Sequence, residues 1–245
     1  MDEDTFIPAP DAALRIEPLG DRALLVILGE GIDAQVNDRV HRLAAALRKR
    51  NFPGVQDIVP AYATLAVHYD LSKWVGHSAP PCRVLETEIR RLWRDRETGS
   101  LPDPRLLEIS VCYGGEWGPD LREVAERCRL AEQTVVERHT AAVYRVFMLG
   151  FTPGFPYLGG LDPSIAVPRH EAPRVSVPAG SVGIAGMQTG IYPLESPGGW
   201  QIIGRTPRRL FDPGALNPCW LRPGDRLRFV AIDPDEFQRL LEDRR

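Results

Sequence analysis

Apolar positions recur along this chain with two periods, and the change between them predicts its elements. Leu14 to Ile16 and Ala23 to Leu28 are short apolar runs on either side of the turn Leu19-Gly20-Asp21, which predicts two strands. From Asp33 to about Arg50 the period becomes helical. Val36, Val40, Leu43, Ala44 and Leu47 share one face, Asp33 can cap the start, and Arg48, Lys49 and Arg50 suit the negative end of the helix dipole. Val55 to Val59 and Thr64 to Tyr69 return to strand spacing, with Leu65, Val67 and Tyr69 alternating with Ala66 and His68. Pro80-Pro81 then opens a helix to about Arg94 that carries Val84, Leu85, Ile89, Leu92 and Trp93.

This order of strand, helix, two strands and helix predicts a small split-βαβ, ferredoxin-like domain over residues 1–98. Its closing strand is either missing or supplied by the strand at Leu14. Residues 1–13 are expected to be a loose tail, and Arg94 to Pro104, polar with two prolines, a linker. The second domain is expected at 105–245. Leu106 to Tyr113, Tyr144 to Leu149 and Leu227 to Ala231 read as strands. Helices are expected from Pro119-Asp120 through Cys128, from Ala131 to Ala141, and from Asp235 to Glu242. Many short strands with few helices predict a β-barrel or sandwich. The fold class is α+β.

Within the second domain the periodicity breaks down. Residues 150–213 hold 11 of the 22 glycines and 10 of the 23 prolines, so no long helix fits there. Phe151, Phe155, Tyr157, Tyr192, Trp200 and Phe211 lie in the same stretch, and charges are sparse. Such a segment reads as short strands joined by shaped loops, a common place for binding residues.

Net charge is −3, which gives no reason to expect a nucleic-acid partner, and no apolar run approaches the ~20 residues of a membrane helix. The acidic start MDEDTFIPAP lacks a signal-peptide pattern, and the four cysteines form no CxxC pair. A reduced cytoplasm is therefore expected, with neither a disulfide framework nor a zinc site. Lys49 and Lys73 are the only lysines, so anion handling in the second domain falls to arginine, backbone N–H groups, a metal or a partner.

Standard catalytic signatures are absent: there is no P-loop, no GxSxG elbow and no HExxH. Three sub-motifs are left. In GFTPGFPYLGGLD (Gly150–Asp162), Phe155 and Tyr157 either pack a core or wall a pocket. In VPAGSVGIAGMQTGIYP (Val177–Pro193), Gly180, Ser181, Gln188 and Thr189 either cradle an anion or form a run of tight hairpins. In ESPGGWQIIGRT (Glu195–Thr206), Glu195, Ser196, Gly198 and Trp200 precede Arg205, which is either a core-edge ion pair or an anion clamp. His139 is a candidate acid/base or orienting group, against the plain alternative of a structural histidine. Arg169 and Arg174 flank His170-Glu171, and Arg174 is the stronger candidate of the two for binding an anion.

The three sub-motifs, together with LFDP, YGGEWGPDL (Tyr113–Leu121) and LGDRALLV (Leu19–Val26), closely resemble the allophanate hydrolase subunit 1 family. That family is also called the Kip inhibitor family, and it includes the B component of the bacterial 5-oxoprolinase complex. The resemblance covers nearly the whole chain. It implies a cyclophilin-like β-barrel for the second domain. It also implies a non-autonomous role in an ATP-dependent 5-oxoprolinase that converts 5-oxoproline to glutamate. The expected partners are a second subunit of related barrel fold and a third hydrolase component, with ATP and Mg bound in the complex. On this reading His139 and Arg205 are catalytic, and Phe155, Tyr157, Arg174, Gly180, Ser181, Gln188, Thr189, Glu195, Ser196, Gly198 and Trp200 bind the substrate or nucleotide. The alternatives are a protein inhibitor of a sensor histidine kinase and, on fold analogy alone, a prolyl isomerase.

Overall fold

The side chain of Asp33 accepts a hydrogen bond from the Val36 amide at 2.8 Å and starts α1 (Ala34–Arg50). The helix buries Val36, Val40, Leu43, Ala44 and Leu47, as its period requires. Asn51 then ends it in the left-handed region at φ 47°. The computed structural model describes residues 14–76, 79–94 and 101–243. Residues 1–13 and most of the linker, for which a tail and a spacer are expected, lie outside the described residues. The chain divides into two units, Met1–Asp103 and Pro104–Arg245.

In the first unit, β1 (Arg15–Pro18), β2 (Ala23–Ile27), β3 (Val55–Pro60) and β4 (Thr64–Tyr69) pair antiparallel in the order β1-β2-β4-β3. The two helices, α1 and α2 (Pro81–Arg94), pack with this sheet. β2, α1, β3, β4 and α2 run in the split-βαβ order, and β1 occupies the outer place beside β2. The strand at Leu14 thus supplies the closing strand. Leu65, Val67 and Tyr69 are buried on the sheet face that joins the α1 side chains in one core.

The second unit is a closed barrel. Its strands are β5 (Leu106–Tyr113), β6 (Tyr144–Leu149), β7 (Pro156–Gly159), β9 (Ser181–Ala185), β10 (Gln188–Ile191), β12 (Gln201–Arg205) and β13 (Arg226–Ala231). Their order is β10-β7-β6-β13-β5-β12-β9, closed by the β9–β10 hairpin. Only β5 and β13 run parallel. β8 (Arg174–Val177) and β11 (Ser196–Gly198) form a separate two-stranded ribbon. Helices α3 (Leu121–Cys128), α4 (Glu132–Ala141) and α5 (Pro234–Glu242) complete the unit. Val111, Val146, Leu158, Ile184, Ile203 and Phe229 are among the side chains of the main core.

The Gly/Pro stretch supplies β7 through β12, four strands of the barrel and both strands of the ribbon. Two glycines show how closely the unit is packed. At Gly118, in the YGGEWGPDL loop, a Cβ would lie 2.0 Å from the Ile203 carbonyl oxygen, so the loop docks flat on β12 only with hydrogen there. Gly180 sits at φ +85°, and a Cβ there would lie 2.4 Å from the Thr206 carbonyl oxygen, so both conformation and space exclude a side chain.

Candidate functional site

The loops of the second unit shape several cavities, and the residues singled out from sequence divide between two of them, the barrel interior and the ribbon. The first cavity, of 360 Å³, is aromatic. Phe155 is its hub, 1% exposed. Its ring meets Tyr192 at 5.2 Å, Trp200 at 5.4 Å and Phe151 at 5.6 Å, all edge-to-face, and Tyr157 at 5.1 Å. These contacts fix the walls, because edge-to-face packing satisfies the ring quadrupoles and fills the space behind them. Gly198 forms part of the wall, where a Cβ would lie 2.3 Å from the Tyr192 hydroxyl. Burial raises the Tyr157 and Tyr192 hydroxyl pKa values, and the nearby Arg169 charge partly offsets this.

The cation of this cavity is Arg169, not Arg174. Its guanidinium lies 6.0 Å from the Trp200 ring centroid. Arg174 is otherwise engaged. Its Nη2 donates at 2.5 Å to Asp120, a carboxylate only 4% exposed that also accepts from the Ile202 amide at 2.6 Å and faces His170 Nε2 at 3.3 Å. Asp120 therefore binds the segment carrying Arg169 and Pro173 to β12 and holds one wall in place. Arg174 thus pairs within the protein through Nη2, while its Nη1 is a buried donor with no hydrogen-bond partner among the described residues.

The second cavity, of 270 Å³, is lined by Gly180, Arg205, Arg208 and Arg209 among apolar side chains. Arg205 donates through Nε to the Ala179 carbonyl at 2.8 Å and lies 5.7 Å over the Trp117 ring. Burial lowers its pKa, an effect that Glu195 partly opposes. Glu195 itself accepts from the Ser176 hydroxyl at 2.7 Å.

His139 is in neither cavity. It lies inside the barrel, fully buried, with Nδ1 2.8 Å from the Tyr113 hydroxyl and Nε2 3.0 Å from Thr189 Oγ1. Thr189 donates its own proton to the Gly183 carbonyl at 2.9 Å, so it accepts from an Nε2–H, and Nδ1 accepts from Tyr113. The ring stacks on Phe229 at 4.5 Å. Burial alone lowers its pKa to about 3, which keeps it neutral. In this arrangement His139 is a fully bonded core group with no open face for substrate, which corrects its reading as an acid/base.

The anion cradle expected at residues 180–190 is likewise a hairpin. The Gly180 amide donates to the Tyr192 carbonyl at 2.6 Å and the Ser181 amide to the Pro178 carbonyl at 3.2 Å. Gln188 pairs with Ala185 across the turn, and Ser181 and Thr189 are buried. Ser196 pairs with Val177 in the ribbon. Phe155, Tyr157, Gly198 and Trp200 thus gather in the aromatic cavity, and Gly180 and Arg205 in the arginine cavity. Asp120, Tyr192, Arg208 and Arg209 are additions from the structure. Asp120 has a sequence signal only as a helix-start residue, which points to capping.

The family model for the carboxyltransferase domain, subdomain C and D, matches residues 14–221. The B subunit of a 5-oxoprolinase from Bacillus subtilis is 45% identical over 237 residues, which are 94% of this chain and 97% of that protein. The crystal structure of a conserved uncharacterized protein from Pyrococcus horikoshii matches with 46% identity and a TM-score of 0.53, over 91% of this chain and 100% of that one. The crystal structure of TTHA0988 matches with 42% identity and a TM-score of 0.73 over 86% of this chain, which spans 40% of that longer chain. The chain belongs to the carboxyltransferase-domain family of subdomains C and D, together with the 5-oxoprolinase B subunits.

Proposed function

We propose that this chain is a subunit of an ATP-dependent 5-oxoprolinase and contributes the pocket that holds the lactam acid. The observation that carries this reading is the 45% identity to the Bacillus subtilis 5-oxoprolinase B subunit over nearly the full length of both proteins. The aromatic cavity supports it chemically. A five-membered lactam ring is small and flat enough to sit between Tyr157, Tyr192 and Trp200, and Arg169 is placed to meet its carboxylate. Phosphorylation of the lactam oxygen by ATP, with Mg carried on the phosphates, would supply the leaving group for later hydrolysis to glutamate. The part assigned to this chain is to hold the ring and its carboxylate. The subunit of related barrel fold and the third hydrolase component complete the site, so the chain alone is inactive. Among the described residues no helix is long and apolar enough to cross a membrane, and the proposed location is the cytoplasm.

The test is reconstitution. The purified chain is mixed with its partner subunits, and ATP turnover is followed with and without 5-oxoproline. Turnover that depends on all components and on 5-oxoproline supports the reading. Its absence beside a working control complex from another bacterium refutes it. In a working complex, Arg169→Met should raise KM for 5-oxoproline by about tenfold or more, the effect of losing one charge-assisted contact, while Arg174→Met should act on stability first.

A further inference from the structure

We propose that the arginine cavity beside β12 is a binding site for a phosphoryl oxyanion, either the phosphate chain of a nucleotide or free pyrophosphate. Three arginines, Arg205, Arg208 and Arg209, line one cavity of 270 Å³. Each is fixed along one edge or face by something other than an anion. Arg205 is held by the Ala179 carbonyl and the Trp117 ring, Arg208 lies 4.4 Å over the Trp220 ring, and Arg209 donates through Nε to the Phe211 carbonyl at 3.2 Å. Such pinning orients the donors in advance, so little rotamer entropy is lost when an anion arrives.

The negative charge available nearby does not match this array. Among the described residues no carboxylate lies within 4.0 Å of Arg205 or Arg208. Arg209 has one partner, Asp212 at 3.6 Å, and both side chains are largely exposed, where such a pair is weak. Glu195 acts on Arg205 electrostatically while bonded to Ser176. The remaining walls include Pro193, Leu194, Phe211 and Phe237, which set apolar surface beside the arginines.

Phosphoryl oxygens fit this array better than a single carboxylate. Three guanidinium-bearing side chains on one cavity match an acceptor with several oxygens and more than one negative charge. The volume lies just below the usual range of about 300–1,000 Å³ for ligand cavities, so it suits a phosphate chain and not an entire nucleotide. A third cavity, of 320 Å³, shares Thr206, Pro207 and Arg208 with it and offers room for the rest of a larger ligand. The site shares no lining residue with the aromatic cavity and stands independently of the lactam reading.

The experiment is isothermal titration of the full chain with pyrophosphate, with ATP, and with 5-oxoproline as a carboxylate control, at low and high salt. Saturable pyrophosphate binding that weakens with salt is expected, with affinity reduced about tenfold or more in Arg205→Gln and in the double variant Arg208→Gln/Arg209→Gln. Arg208 and Arg209 are exposed, so the double variant should fold; near-ultraviolet circular dichroism checks this. ATP binding more tightly than pyrophosphate identifies a nucleotide site, and equal affinity identifies the phosphate chain alone as the ligand. No saturable binding at millimolar pyrophosphate, or unchanged affinity in the folded double variant, overturns the proposal. Because turnover is not the readout, failure here leaves the 5-oxoprolinase reading standing, and the reverse also holds.

Discussion

His139→Gln tests whether this histidine is a core group or a working acid. The ring is fully buried with both nitrogens bonded, and burial holds its pKa at about 3 against an ordinary 6.5. The unfolded chain therefore takes up a proton in a pH range where the folded chain does not. His139 costs no stability above about pH 6.5, and stability falls as pH drops from there towards 3. Each pH unit within that window corresponds to about 1.4 kcal/mol, so moving from pH 7 to pH 5 removes about 2 kcal/mol through this residue alone. Glutamine loses the stack on Phe229 and one hydrogen bond, and should cost roughly 2–4 kcal/mol at pH 7. It does not titrate, so the gap to the parent protein should narrow by about 2 kcal/mol at pH 5. Other titrating groups are common to both proteins and cancel in the difference. Urea unfolding followed by tryptophan fluorescence measures the gap at each pH. A gap that stays constant from pH 7 to pH 5 would refute a histidine held neutral by burial.

Single contacts set the outcome of three other substitutions. Asp120→Ala leaves the buried Ile202 amide without an acceptor and Arg174 without its partner, and should cost about 3 kcal/mol. The lower end of the range applies because the Arg174 side chain is 34% exposed, and calorimetry should show Tm lowered by about 6–12 °C. Gly198→Ala pushes a methyl group against the buried Tyr192 ring; it should destabilise by about 1–3 kcal/mol and raise KM for 5-oxoproline in the reconstituted complex. Unchanged KM would separate this wall from the substrate. Gly180→Ala combines φ +85° with a contact to the Thr206 carbonyl, so its unfolding midpoint should fall further than that of Gly20→Ala, where φ is +69° but nothing lies within 4 Å.

Much of the architecture can be read from local pattern. The α1 stripe from Val36 to Leu47, the Asp33 cap and the alternation at Leu65, Val67 and Tyr69 are properties of adjacent residues, because helix and strand periods are local. The glycines and prolines of residues 150–213 likewise predict shaped loops and short strands. The aromatic cavity is only half legible. Phe155, Tyr157 and Trp200 stand out by composition, but their convergence depends on which strands of the barrel are neighbours.

The amino-acid sequence alone determined two α+β parts, the element types, the arginine-based positive charge and the family resemblance. Only the tertiary structure decided how each charge is used. Arg169 and Arg174 are five residues apart, and the sequence favours Arg174 for an anion, yet Arg174 is paired with Asp120, 54 positions away, and Arg169 lines the aromatic cavity. His139 became a core group because barrel closure places Tyr113 and Thr189 on its two nitrogens. Arg205, Arg208 and Arg209 are close in the chain already, and the pairing of β9 with β12 sets Gly180 beside them. Pairing and desolvation depend on neighbours that are distant in sequence, and no local pattern encodes them.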